Sequence, residues 1–307
     1  MLGHALEEAT KCGHAAVVHL LVSEYNASLE GPLDIKALHL AAAEGHNEAV
    51  DVLLDCGVDI ESQDYEDATP LMLACLRGKV NTAKVLLMKR ANPDYTGVKA
   101  FKYAPIHIAA REGLPVLVRV LIDAGAWEDP RLEKPDCDTP LHQDVRWSQP
   151  DRDDQYVEVA KVLLRFPGFG ARVNALSGGG NSPLHIAIGK DNCSKNMVRV
   201  LLEFDANIDK LDESGWSPLF YAVFLNETHI ARLLCGLGDK DDSPFLFYVA
   251  IRGNEDRVRQ VLDAGCQKMG EDKWGRTAYD VALDPKVRDL LAPATGATAQ
   301  AMRREEC

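Results

Sequence analysis

One short pattern returns along this chain at a nearly fixed interval. Anchored on the leucine of "TPLH" or its equivalent, the series is Leu6, Leu38, Leu71, Ile106, Leu141, Leu184, Leu219, Leu246 and Tyr279. The spacings are 32, 33, 35, 35, 43, 35, 27 and 33 residues. A period of this size makes each unit one small supersecondary element that buries its apolar face only by stacking on its neighbours. Seven residues after most anchors stands a helix-ending Gly or Asn: Gly13, Gly45, Gly78, Gly113, Asn226 and Gly253. About fifteen after the anchor comes an apolar pair that closes a second helix, as in Leu53-Leu54, Leu86-Leu87 and Leu121-Ile122. Proline in the first turn of the first helix sits where a missing N–H costs nothing. Glycine after that helix permits a left-handed residue.

The stretches "ALHLAAAEGHNEAVDVLLDCGVDIES", "TPLMLACLRGKVNTAKVLL", "APIHIAAREGLPVLVRVLIDAGA", "SPLHIAI" and "SPLFYAV" resemble the ankyrin repeat, across nearly the whole chain. The resemblance implies an all-α fold: an ankyrin-repeat α-solenoid of helix-turn-helix units, with β-finger loops and a concave groove. About nine units over 1–291 are expected, the first and last as caps, with a disordered tail over 292–307. The capped last unit and its tail favour a complete chain. In the ankyrin family the histidine of "TPLH" joins adjacent units by backbone hydrogen bonds. That role is implied for His39, His107, His142 and His185.

Four departures from the pattern mark candidate functional positions, since local rule-breaking concentrates at such sites. The 43-residue spacing places about seven extra residues between the two helices of the fifth unit, read as a charged loop at about 147–156 around Pro150. The same unit carries Asp144 where its sisters have Ala41, Ala74, Ala109, Ala187 and Ala222. A buried carboxylate is costly, so Asp144 must be paired, exposed by distortion or a local frame slip, or protonated. The 27-residue spacing leaves no room for a finger in "CGLGDKDDSPFLFYVA". The fingers are long and aromatic, offering Tyr65, Tyr95, Phe101, Tyr103, Trp127, Trp216 and Trp274, of which about half should pack finger on finger.

Groove-facing positions read just before each glycine include Leu76-Arg77, Arg111-Glu112, Arg146-Trp147, Gly189-Lys190 and Phe224-Leu225. They form a cationic stripe, Arg77–Arg111–Arg146–Lys190, in a chain of formal net charge −13. Pairing with Glu44, Glu112 and their neighbours is the competing reading of those charges. The overall charge argues against nucleic acid or an anionic membrane as partner. No apolar run reaches the length of a membrane span, and the start lacks a signal peptide's basic region. Eight cysteines lie singly, with Cys12, Cys75 and Cys235 inside helical patterns as small buried hydrophobes, which fits an intracellular setting, cytoplasmic or nuclear. No phosphate loop, GxSxG, HExxH or paired CxxC occurs, so no cofactor or metal is expected.

The favoured reading is a protein-binding module that uses its groove and finger tips across the third to seventh units, on a partner with an acidic segment. Tyr65, Arg77, Tyr103, Arg111, Glu112, Arg146, Trp147, Trp216 and Phe224 are the binding candidates. The alternative is a groove enzyme of acid–base isomerase or cyclase type, or a ligand carrier, taking a small anionic or aromatic molecule. There Asp144 would be the acid or base, with Arg77 or Arg111 on the anion.

Overall fold

The computed structural model of the chain describes residues 2–25, 27, 37–97, 103–126, 138–166, 173–190, 193–225, 227, 230, 233–234, 246, 250, 255–263 and 276–292. Every regular element among the described residues is a helix. Contacts divide the chain into two compact units, one of residues 1–187 with 199–206 and one of 188–198 with 207–307.

The larger unit is a ladder of helix pairs: α1 (Leu2–Lys11) with α2 (Ala15–Ser23), α3 (Ala37–Glu44) with α4 (Asn47–Asp55), α5 (Pro70–Leu76) with α6 (Val80–Met88), α7 (Pro105–Arg111) with α8 (Pro115–Asp123), and α9 (Pro140–Trp147) with α10 (Asp153–Arg165). First helices pack on first helices, from α1 through α3, α5 and α7 to α9, and second helices on second helices from α2 to α10. After α10 come α11 (Pro183–Ile188) and α12 (Lys195–Glu203). The anchors Leu6, Leu38, Leu71, Ile106, Leu141 and Leu184 are all buried, so the core runs through the repeated position. Two of the helical cysteines follow different fates: Cys75 is buried as expected, whereas Cys12 is exposed.

Three of the first helices start the same way, whereas α7 follows Ala104 and has no side-chain cap. Thr69 Oγ1 accepts from the Met72 N–H, Thr139 Oγ1 from His142, and Ser182 Oγ from His185, each at 3.4 Å. Proline follows the cap at Pro70, Pro140 and Pro183. The ends agree as well. Gly13, Gly45, Gly78 and Gly113 all have positive φ, the conformation a side chain resists. Asn226 and Gly253 lie outside the described residues.

The histidines tie one unit to the next. Nε2 of His39 lies 3.0 Å from the Ala68 carbonyl oxygen, that of His107 3.2 Å from Asp138, and that of His142 3.1 Å from Asn181. Each acceptor is the residue just before the next unit's cap. In His142 the Thr139 N–H donates to Nδ1 at 3.1 Å, so Nε2 carries the proton and donates to Asn181. Met72 holds this slot in α5, and its sulfur accepts the Thr69 N–H at 3.4 Å. A thioether has no proton to hand on.

The described finger tips are tight turns. The N–H of Asp64 donates to Ala68, Ser177 to Asn181 and Asp212 to Trp216, at 3.0, 2.9 and 3.0 Å. In the smaller unit α13 (Pro218–Phe224) packs on α14 (Glu255–Asp263), and α14 and α15 (Ala278–Val281) on α16 (Pro285–Leu291). Asp280 stands in the histidine slot and accepts from the Thr277 N–H and hydroxyl, each at 2.7 Å, which caps α15. The 235–245 stretch, where the short spacing falls, and all of the expected tail but Ala292 lie outside the described residues.

Met72→His should supply the absent link, with Nε2 donating to the carbonyl of Tyr103, the residue just before the Ala104 cap of α7. A neutral hydrogen bond is worth about 1 kcal/mol. A rise of the urea midpoint of unfolding checks it.

Candidate functional site

The fifth unit departs most from its sisters, and α9 keeps their frame. Thr139 caps it, Leu141 is buried, and Asp144 is 0% exposed, as Ala41, Ala74, Ala109 and Ala222 are in the same slot. The local frame slip is thereby ruled out. The Asp144 carboxylate is enclosed next to α10, close enough for its charge to help raise the Tyr156 phenol above its ordinary range. Burial of that phenol is the larger cause. Asp144 is also absent from the residues that line the cleft on the finger side of α9. The proposed catalytic role for Asp144 therefore finds no accessible group.

The inserted residues also differ from the expected loop. After Ser148 and Gln149 the chain makes a 3-10 turn over Pro150–Arg152, then enters α10. That helix has 13 residues, against 9 in α4, α6 and α8. Proline opens the turn, where its fixed φ is accommodated. Asp153 and Asp154 occupy the first helical turn, where the backbone dipole favours negative charge. The extension reaches back over α7. Arg152 Nη2 donates to the Glu112 carbonyl at 2.7 Å, and Tyr156 Oη donates to the Arg111 carbonyl at 3.1 Å. Those are end-of-helix carbonyls that lack helical partners. The second unit solves the same problem with His46 Nε2, 2.9 Å from the Lys11 carbonyl. Gly113 is what lets the ring in, since a Cβ there would lie 3.0 Å from Tyr156 Cζ.

On the side of α9 that faces the fingers the structure forms a cleft of ≈ 250 Å³. It is lined by Tyr103, Asp138, Gln143, Arg146, Trp147 and the finger-tip residues Ser177, Gly178 and Gly179. Asp138, almost wholly buried, is its electrostatic centre. Its carboxylate accepts from Arg146 Nε at 3.1 Å and Nη2 at 3.3 Å, and from Gln143 Nε2 at 2.9 Å. The other polar atom of that carboxamide, Gln143 Oε1, is buried without a hydrogen-bond partner among the described residues. Such an atom costs about 1–3 kcal/mol until a donor reaches it. At the edge stands Trp147, 47% exposed, with the Arg111 guanidinium 4.6 Å from its ring centroid. That cation–π contact fixes the indole, and Glu112 holds Arg111 from the side at 3.7 Å.

Of the residues chosen from the pattern, the structure brings Tyr103, Arg111, Glu112, Arg146 and Trp147 together. The cationic stripe is broken: Arg146 is neutralised by Asp138 and Arg111 is shared between Glu112 and Trp147. Arg77 is exposed and has no partner among the described residues. Tyr65 is an exposed finger-tip ring, its phenol held above the ordinary range by its hydrogen bond to Glu66. Trp216 packs instead, with centroids 4.1 Å from Phe220 and 5.8 Å from Phe224, while Phe224 stays exposed. Phe101, Trp127 and Trp274 lie outside the described residues. Pattern reading missed Asp138, Gln143 and Ser177. Comparing columns would have found two of them, because Asp138 replaces Ala68 and Tyr103, and Gln143 replaces Leu73 and Ile108.

Among the described residues no group of His, Cys, Asp and Glu is placed to hold a metal ion. None of their helices is long and apolar enough to cross a membrane.

A family model for ankyrin repeats, three copies, matches residues 6–97 and 152–243. The chain is 33% identical over 174 residues to the E3 ubiquitin-protein ligase XBAT33 of Arabidopsis thaliana, covering 56% of this chain and 29% of that protein. It is 34% identical over 127 residues to the ankyrin repeat and KH domain-containing protein mask-1 of Caenorhabditis elegans, covering 39% and 5%. With inversin of Canis lupus familiaris it shares 28% identity over 180 residues, covering 57% and 16%. The chain thus spans under a third of the length of these curated relatives. Tyr103, Asp138, Gln143, Arg146 and Trp147 fall between the two stretches that the family model matches.

Gly113→Ala should cost about 2 kcal/mol through its left-handed φ and loosen Tyr156 as well. Urea unfolding followed by tyrosine and tryptophan fluorescence checks both effects. A pH effect follows from His142, which burial holds below the ordinary value of 6.5, against the Asp138 charge and the Asn181 hydrogen bond that raise it. The unfolded chain protonates this imidazole near 6.5 and the folded chain does so only lower, so folding loses stability as pH falls through that window. Melting temperatures between pH 8 and 5 should therefore decline on the acid side, and decline less steeply in His142→Gln.

Proposed function

We propose that this chain, which belongs to the ankyrin-repeat family, binds a protein partner on the finger-side face of its third to fifth units. The observation that carries this reading is Trp147: a large indole left half exposed, held by Arg111 at the edge of a polar cleft. Large aromatics fixed in place before binding make strong interface anchors, because little side-chain freedom is lost on contact. Arg77 reads an acidic side chain of the partner, since no neighbour among the described residues satisfies it. Tyr65 adds a second exposed ring on the finger two units earlier.

The count of about nine units over 1–291 belongs to the same proposal, as does an intracellular setting. Cys12, Cys56, Cys75 and Cys193 are free thiols, which suits a reducing compartment. The ligase activity in the relatives' names is not carried over. Less than a third of each is matched, and what the matched part supports is recognition.

The test is to recover a partner by co-purification and measure its affinity for variants of the pure protein. Trp147→Ala should weaken binding at least tenfold and Arg77→Ala about threefold, with melting temperatures close to that of the parent protein. Val116→Ala, on the outer face of α8, should bind as the parent does. Unchanged affinity in both groove variants removes this face from the interface.

A further inference from the structure

We propose that the cleft beside Trp147 is a pocket for one primary carboxamide, the side chain of an asparagine or glutamine carried by the protein partner. The proposal rests on the protein-binding reading above and names the group that the face selects.

Size sets the first limit. A cleft of ≈ 250 Å³ is smaller than the usual site of a cofactor or metabolite and suits a single side chain. Charge sets the second. Among the described residues that line the cleft, Asp138 is the only carboxylate, and it is already held by Arg146 Nε and Nη2 and by Gln143. A cationic occupant would meet a carboxylate that is spoken for. An anionic one would have to strip Arg146 from Asp138 and leave that acid buried alone. Either charge would lose its water for no matching counter-charge.

The hydrogen-bond inventory then selects among neutral groups. Gln143 Oε1 is a buried acceptor with no donor, on a residue of the cleft wall that is 2% exposed. Ser177, on the finger tip that also lines the cleft, accepts the Asn181 N–H on Oγ at 3.3 Å, which leaves its own hydroxyl proton to give. The lining thus holds one acceptor without a donor, at Gln143, and one hydroxyl proton to give, at Ser177, beside the Tyr103 hydroxyl and the Trp147 indole N–H. A primary carboxamide presents the complement, an NH₂ for Gln143 and a carbonyl for Ser177. A carboxylate lacks the donor and an ammonium or guanidinium lacks the acceptor. Shape favours the planar amide over a hydroxyl, since Tyr103 and Trp147 supply two flat rings. Gly178 and Gly179 leave the third wall bare of side chains, so a partner's backbone can come close.

The probes are blocked amino acids, each N-acetylated and N-methylamidated, titrated into the full chain and followed by ¹H–¹⁵N NMR. Blocked glutamine or asparagine should shift the Gln143 side-chain NH₂ and Trp147 indole signals at millimolar concentration. Blocked glutamate, lysine and serine should bind at least fivefold more weakly. Gln143→Leu should abolish the shift at Trp147, and Ser177→Ala should weaken binding several-fold, which keeps the test alive if the first variant fails to fold. Equal response to blocked glutamate or serine overturns the carboxamide assignment. Tighter binding of free glutamine than of its blocked form overturns the partner side chain as source. If no blocked amide binds while Trp147→Ala still weakens a partner, this pocket assignment falls and the protein-binding reading stands.

Discussion

The structure depends on a single imidazole used again and again. In His142, Nδ1 takes the Thr139 N–H that opens its own helix, which leaves the proton on Nε2. Nε2 then gives that proton to the Asn181 carbonyl, just before the next unit's cap. A helix start is thereby coupled to the finger of the following unit. Because the acceptor is backbone, the link is indifferent to the next unit's side chains. Units can therefore diverge, and the fifth has diverged furthest while His107 and His142 hold it on both sides.

That freedom explains where the unusual chemistry lies. In the fifth unit Gln143 and Arg146 both bond Asp138, and two of the three are new there: Asp138 stands where sister units carry Ala68 and Tyr103, and Gln143 where they carry Leu73 and Ile108. Such a cluster is tolerable only when its members are nearly all satisfied. Here one carboxamide oxygen and one hydroxyl proton are left over, at the foot of an indole that Arg111 holds still. On the other side of the unit the longer α10 supplies Tyr156 and Arg152 to end α7. The insertion thus supplies the cap that ends α7.

Much of this was legible in the residues. The anchors and the left-handed glycines follow from local rules that hold within a unit, and the histidine links from the resemblance to the ankyrin repeat. Two features were not. Pro150 reads as a break, yet proline fits the first turn of a helix, and the acidic pair after it favours a helix start. The stripe of arginines looked uniform because helix periodicity reports which face a residue is on and not which neighbour waits there. Asp138 lies eight residues before Arg146 and outside α9, so no helix-spacing rule links them. Asp144 was flagged correctly as an anomaly, but a slot reserved for alanine is by its nature closed to solvent.

The central claim is that recognition occurs on the finger-side face of α9. Hydrogen–deuterium exchange of the full chain, with and without its bound partner, measures that most directly. The account predicts new protection concentrated in residues 139–147 and 177–181, with the outer faces of α6 and α8 unchanged. Protection confined to the outer helices, or none at α9 and its finger, would contradict it.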